Sequence, residues 1–145
     1  MGRRNVIDGL AEQLRQVNGF DTNSKGTVSV HDLKVLNMGV DRAAIVMTNR
    51  SEQEQLAMGN ILQMHWYLDV VVAIRHNNDV VQAREDADTY VQNIVDRIRQ
   101  NDTLGGSCFT SMITAIELAD ERLLTRNIPY LVEVLTVKAT EDQSG

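Results

Sequence analysis

Gln63-Met64-His65-Trp66-Tyr67-Leu68-Asp69-Val70-Val71-Val72-Ala73-Ile74-Arg75 is the stretch that decides the fold. Met64, Trp66, Leu68, Val70, Val72 and Ile74 alternate with His65, Tyr67, Asp69, Val71, Ala73 and Arg75, and a period of two assigns one set to each face of a β-strand. The first set is wholly apolar, whereas the second carries an imidazole, a carboxylate and a guanidinium. The sequence therefore predicts a central strand whose Trp66 face lies against helices.

Downstream, Asn78 or Asp79 is a good helix N-cap. Val80, Ala83, Ala87, Tyr90, Val91, Ile94 and Ile98 then recur at intervals of three and four, with Arg84, Asp88, Gln92, Asp96 and Arg99 on the opposite side. An amphipathic helix ending near Asn101 follows from that spacing. Upstream, Ala43, Ala44, Ile45, Val46 and Met47 make a short apolar run within 42–48, and its length and branched residues favour a buried strand. The polar residues 49–55 read as an exposed, mobile loop.

The ends of the chain follow the same logic. Val6, Leu10, Leu14 and Val17 sit at helical spacing in a helix predicted over 5–17, with Asp8 and Glu12 toward its start and Arg15 near its end, and Gly19 stops it. Residues 20–41 read as a variable loop followed by a short helix around 31–37. Leu104-Gly105-Gly106 is a turn; 112–118 and 130–139 read as strands, the second opened by Pro129; residues 140–145 read as a frayed tail. The expected order is helix, strand, strand, helix, strand, strand. This is a single α+β domain over 1–145, with a mainly antiparallel four-stranded sheet and helices on one face.

Composition narrows the function. A chain of 145 residues, 43% hydrophobic, can bury a core without disulfides or metal. Fourteen basic against 20 acidic residues give a net charge of -6 and a pI near 5.0, which opposes nonspecific binding to nucleic acid. Arg3 and Arg4 are the only paired cations in the first 20 positions, too few for a nucleic-acid patch. Cys108 is the single cysteine, so neither an internal disulfide nor a thiolate-rich zinc site is expected. No secretory signal is visible, and the longest uncharged interior run, 55–68, contains Gly59, Asn60, Gln63 and His65 and suits no bilayer span.

The sharpest local motif runs over 21–32, which resembles an EF-hand calcium loop. Asp21, Asn23, Ser29 and Asp32 occupy loop positions 1, 3, 9 and 12, and Gly26 falls at position 6. Lys25 places a cation where an oxygen ligand belongs, and Asp32 stands where a longer glutamate is usual. A polar turn is the plainer expectation, and no metal site is assigned. His31, His65 and His76 lack metal-pair spacing, and His65 with Asp69 on one strand face needs a pocket and a third group to act as an acid/base pair. Gly105-Gly106-Ser107 lacks the lysine and following helix of a phosphate-binding loop. No catalytic constellation and no cofactor are expected; a chain with a good core and no site suggests an assembly module.

Taken together, the leading helix, the strand Arg42-Ala-Ala-Ile-Val-Met-Thr, the polar loop through Arg50-Ser-Glu-Gln-Glu, the strand over 66–74, the helix over 83–99, the turn Asp102-Thr-Leu-Gly-Gly and the closing Pro129-Tyr-Leu-Val-Glu-Val-Leu-Thr-Val-Lys resemble the tail terminator proteins of long-tailed bacteriophages and the related head-tail joining proteins. The resemblance implies a homo-hexameric ring in the virion, assembled in the host cytoplasm. Such a ring sits on the finished tail tube, ends tube growth and presents its other surface to head-completion proteins, while genomic DNA passes through unbound. It implies no cofactor, no chemistry and no membrane. Arg50, Glu52 and Glu54 on the 49–60 loop are expected to order on docking, and Tyr130 and Val132 on an edge strand to pair between subunits. A head-tail connector on the portal side, or a calcium-responsive module built on 21–32, are the alternatives.

Overall fold

The computed structural model of the chain describes residues 2–20, 26–32, 40–55, 61–75, 79–108, 110–118 and 130–144. Two helices, α1 (Arg3–Leu14) and α2 (Val80–Gln100), join five strands: β1 (Gly26–Val30), β2 (Arg42–Gln55), β3 (Ile61–Arg75), β4 (Thr110–Leu118) and β5 (Tyr130–Ser144). The strands make one sheet in the order β1-β2-β3-β5-β4. All neighbours are antiparallel except β1 and β2, which run parallel.

Strand β3 lies at the centre, paired along its length with β2 on one edge and with β5 on the other. The alternation read from the sequence holds. Trp66, Leu68, Val70, Val72 and Ile74 join the main core with Ala44 and Val46 of β2, Leu131, Leu135 and Val137 of β5, and the inward residues of both helices. The α+β class and the placement of both helices on one face are as expected. Leu10, Leu68, Ile94 and Leu135 are fully buried. Each such side chain stabilises the fold by roughly 1.5–3 kcal/mol through apolar area withdrawn from water.

Helix α2 starts where its cap is expected, with the Asp79 carboxylate accepting from the Gln82 backbone N–H at 3.0 Å. Its inward residues Ala83, Ala87, Val91, Ile94 and Ile98 are those that the spacing selects. Arg97 ties it to α1, donating through Nε to Gln13 at 2.9 Å and through Nη2 to Gln16. A second tie sits at the turn after α1, where Gly19 has a φ of +107° and its carbonyl accepts from Arg42 Nε at 2.5 Å. The Arg42 guanidinium lies 4.7 Å from the Tyr90 ring centroid, and Phe20 meets Tyr90 edge to face at 5.7 Å.

Several expectations are corrected. The sheet has five strands, because Val28 and Val30, read as loop, lie in β1 beside β2. Residues 49–55 are strand and not a loop: a bulge between Thr48 and Arg50 lets β2 continue to Gln55 against β3. The tail is not frayed over 140–144, where β5 pairs with the start of β3. Strand β5 is interior over Glu133–Thr140, where β4 pairs with it, whereas Tyr130 and Val132 lie before that stretch and pair with β3 alone among the described residues. Helix α1 begins at Arg3 rather than at 5 and closes at Leu14, which leaves its first turn without an acid. His31 and Asp32 are not helical, and residues 33–39, the rest of the expected short helix, lie outside the described residues.

Gly9 tests how tightly α1 is seated. A Cβ there would stand 2.7 Å from the Leu104 carbonyl oxygen and 2.8 Å from Ser107 Cβ, in the turn after α2. Alanine gains roughly 0.5–1 kcal/mol of helix propensity over glycine, whereas overpacking against backbone costs typically 1–3 kcal/mol. Packing decides the sign, so Gly9→Ala is expected to destabilise the fold by about 1–2 kcal/mol in urea unfolding.

Candidate assembly surface

The sheet face without helices is divided by chemistry along its length. At one end Ala43, Ile45, Val71, Ala73, Tyr130 and Val132 form a second apolar cluster, joined by Val40, Met47 and Val134. Tyr130 donates its hydroxyl hydrogen to the Val40 carbonyl at 2.7 Å. At the other end β2, β3 and β5 extend as a three-stranded polar arm. The Asp69 carboxylate marks the boundary, accepting from Asn49 Nδ2 at 3.1 Å and from Thr136 Oγ1 at 3.2 Å.

The sequence-selected residues distribute unevenly over this surface. Arg50 and Glu52 are brought together on the arm, 3.4 Å apart and half exposed, with the Arg50 guanidinium 4.3 Å from the Tyr67 ring centroid. An exposed ion pair contributes only about 0.2–1 kcal/mol, so these side chains remain available to a partner at small cost. Glu54 pairs in register with Gln63. Tyr130 and Val132 are buried within their own chain at 2% and 1% exposure and present nothing to a neighbour.

Of the calcium-loop residues, Asp21 and Asn23 lie outside the described residues. Ser29 is mid-strand in β1, its hydroxyl donating to the Asp32 carbonyl at 2.9 Å. Among the described residues no group of three or more His, Cys, Asp or Glu is placed to hold a metal ion. His65 and Asp69 are four residues apart on β3, about 13 Å at strand rise, too far for direct proton transfer. His65 Nδ1 instead lies 3.0 Å from Thr140 Oγ1. Gly105 and Gly106 have φ of +72° and +88° in a turn that leads into β4, with no helix behind them.

Strand β4 carries the feature that sequence reasoning missed. It stands at one end of the sheet with β5 on one side, and Met112 and Ile116 are 57% and 47% exposed. Beside it a mainly apolar cleft of about 290 Å³ opens between β4 and α2, lined by Val95, Ile98, Ile113 and Ile116, with Arg99 and Ser111 as its polar residues. A bulge between Ile113 and Ala115 shifts the register, so Ile113 and Ile116 both turn toward α2. That shift destroys the period-two signal by which the face would have been read. Among the described residues nothing pairs with the outer edge of β4, and here apolar side chains and a cleft accompany that edge.

The buried thiol of Cys108 and the half-buried carboxyl of Glu133 report the electrostatics of the helix side. Burial, with the nearby carboxylates of Glu141 and Asp102, pushes the Cys108 thiol from 9.0 up to about 11. Burial also raises the Glu133 carboxyl, Asp88 adds to this, and Arg84 opposes it. Among the described residues no helix is long and apolar enough to cross a membrane. No family model matches the chain, and no curated protein matches it.

Two predictions follow from these groups. Cys108 keeps its proton better in the folded chain, so its contribution is complete below pH 9 and is lost as pH rises toward 11, up to about 2–3 kcal/mol. Unfolding curves of the wild type should weaken over that window, and Cys108→Ala should show a smaller loss. Glu133 is likewise raised, so its contribution is present below pH 4.5 and gone at neutrality. Glu133→Gln should raise Tm at pH 7 and leave it unchanged at pH 4.

Proposed function

We propose that this chain is a structural subunit of a bacteriophage tail that forms a ring on the tail tube, ends tube growth and offers a surface for head attachment. The observation that supports self-assembly is the exposed end strand β4, with Met112 and Ile116 beside the apolar cleft against α2. A second copy is the occupant we assign to this surface, since another chain brings both a backbone for the strand edge and side chains for the groove. Contact between β4 of one copy and a different surface of the next is heterologous, and heterologous contacts that close make rings.

The polar arm then has a separate role. Arg50, Tyr67 and Glu52 present charge and aromatic surface away from the helices, which suits a reversible contact with tube or head-completion protein. A net charge of -6 fits a ring whose lumen lets DNA slide without gripping its phosphates.

Mixing the protein with purified tail tubes, followed by light scattering and negative-stain imaging, tests this. Tubes capped at one end are expected, and Ile116→Asp should abolish the caps while leaving the Tm within a few degrees of wild type. Binding to capsids but not to tubes would move the protein to the portal side as a connector. Binding to neither would end the assembly reading.

A further inference from the structure

The turn after α1 holds the one Asn-Gly pair in the sequence, Asn18-Gly19. Asn18 is exposed, and among the described residues its side-chain amide has no hydrogen-bond partner. An exposed, untethered side chain exchanges its rotamers in picoseconds to nanoseconds. Gly19 follows at φ +107°, where a Cβ would stand 2.3 Å from Tyr90 Cε1. The missing Cβ that permits this conformation also leaves the Gly19 nitrogen unshielded. Its N–H finds no acceptor among the described residues, although Val17 and Phe20 close by donate to the Leu14 and Val17 carbonyls at 3.1 and 3.0 Å.

The surroundings favour negative charge on that nitrogen. Asn93 Nδ2 donates at 3.4 Å to the Asn18 backbone carbonyl, the oxygen conjugated with the Gly19 nitrogen. Arg42 Nε donates to the Gly19 carbonyl on its other side, which brings a guanidinium charge beside the same peptide. Both withdraw electron density from the Gly19 N–H and make it a better acid.

We propose that Asn18 is a modification site, converted in the folded chain to isoaspartate with water as the co-reactant. The Gly19 nitrogen gives up its proton and attacks the Asn18 side-chain carbonyl carbon, closing a succinimide ring, and the side-chain nitrogen leaves with a proton as ammonia. Water then adds to a ring carbonyl and breaks a carbon–nitrogen bond, with the proton returning to the Gly19 nitrogen. Attack at the former side-chain carbonyl gives ordinary aspartate; attack at the backbone carbonyl gives isoaspartate, whose main chain runs through the side-chain carbon. Nothing is oxidised or reduced. The isoaspartyl product lengthens the main chain by one carbon just before Gly19. That carbonyl has no room to shift, since a Cβ on Gly26 would stand 2.0 Å from it. The bond to Arg42 is then lost and α1 loosens from the sheet.

Asp8-Gly9 is the internal control. An Asp-Gly pair passes through the same succinimide, but Gly9 lies inside α1, where its N–H is held by the helix. Incubating the folded protein at mildly alkaline pH, then mapping its peptides by mass spectrometry after labelling with an isoaspartate methyltransferase, tests the proposal. Ammonia release and isoaspartate at position 18 are expected, forming as readily in the folded chain as in urea, whereas position 8 reacts only in urea. The aged protein should lose Tm. Asn18→Gln, whose longer side chain closes a ring far more slowly, should stay unlabelled there and keep its Tm through the same incubation. Absence of isoaspartate at position 18 in the folded chain, protection of that position by folding as strong as at position 8, or an equal loss of Tm in Asn18→Gln would overturn it.

Discussion

Strand β3 must satisfy backbone hydrogen bonds on both edges while burying apolar side chains, and these two demands place every other element. Fifteen residues long, it takes β2 along one edge and β5 along the other. Its Trp66 face can be dried only by something as long as itself, and α2, 21 residues, lies there with α1 beside it. The Arg97 bonds to Gln13 and Gln16 and the Arg42 bond to Gly19 then lock the helix layer to itself and to the sheet. Those links are polar, two of them partly buried and the Arg97–Gln16 bond exposed, so their worth lies in geometry more than in energy. They fix where α1 lies, and with it the turn at its end.

How much of this was legible in the chain depends on which force shaped each element. Helix α2 and the face of β3 were readable because burial imposes a period, and Val91, Ile94 and Ile98 or Leu68, Val70 and Val72 carry it openly. Residues 49–55 and 140–144 were not readable, since they are polar and become strand through pairing with each other's neighbours on β3. Backbone hydrogen bonds leave no mark on side-chain hydropathy. Strand β1 escaped for a related reason: its five residues are half-buried throughout and its parallel partner begins 16 positions later, at Arg42.

The candidate surfaces divide in the same way. Arg50 and Glu52 read from the sequence as charges on a loop, and they do meet, but on a strand. Whether Tyr130 and Val132 offer an edge depends on the strand order and on how far β4 reaches along β5, which no single-chain pattern states. Met112 and Ile116 were hidden by the bulge between them. In each case the missing information is tertiary: which edge is free, which side chains converge.

The bulge in β2 has a meaning beyond local irregularity. Before it, Ala43, Ile45 and Met47 face away from the helices; after it, Arg50 and Glu52 do, so the parity of the strand changes at Asn49. One supernumerary residue thus works as a reading-frame device for side chains. Removing it would scarcely shorten the arm, yet it would turn the arm over, delivering Arg50 and Glu52 to the side of Trp66 and sending Ser51 outward. Chains that drift in length at this point would therefore exchange the chemistry of two surfaces in one step, and selection on either surface would hold the count of residues between Arg42 and Gln55 fixed even where their identities are free to vary.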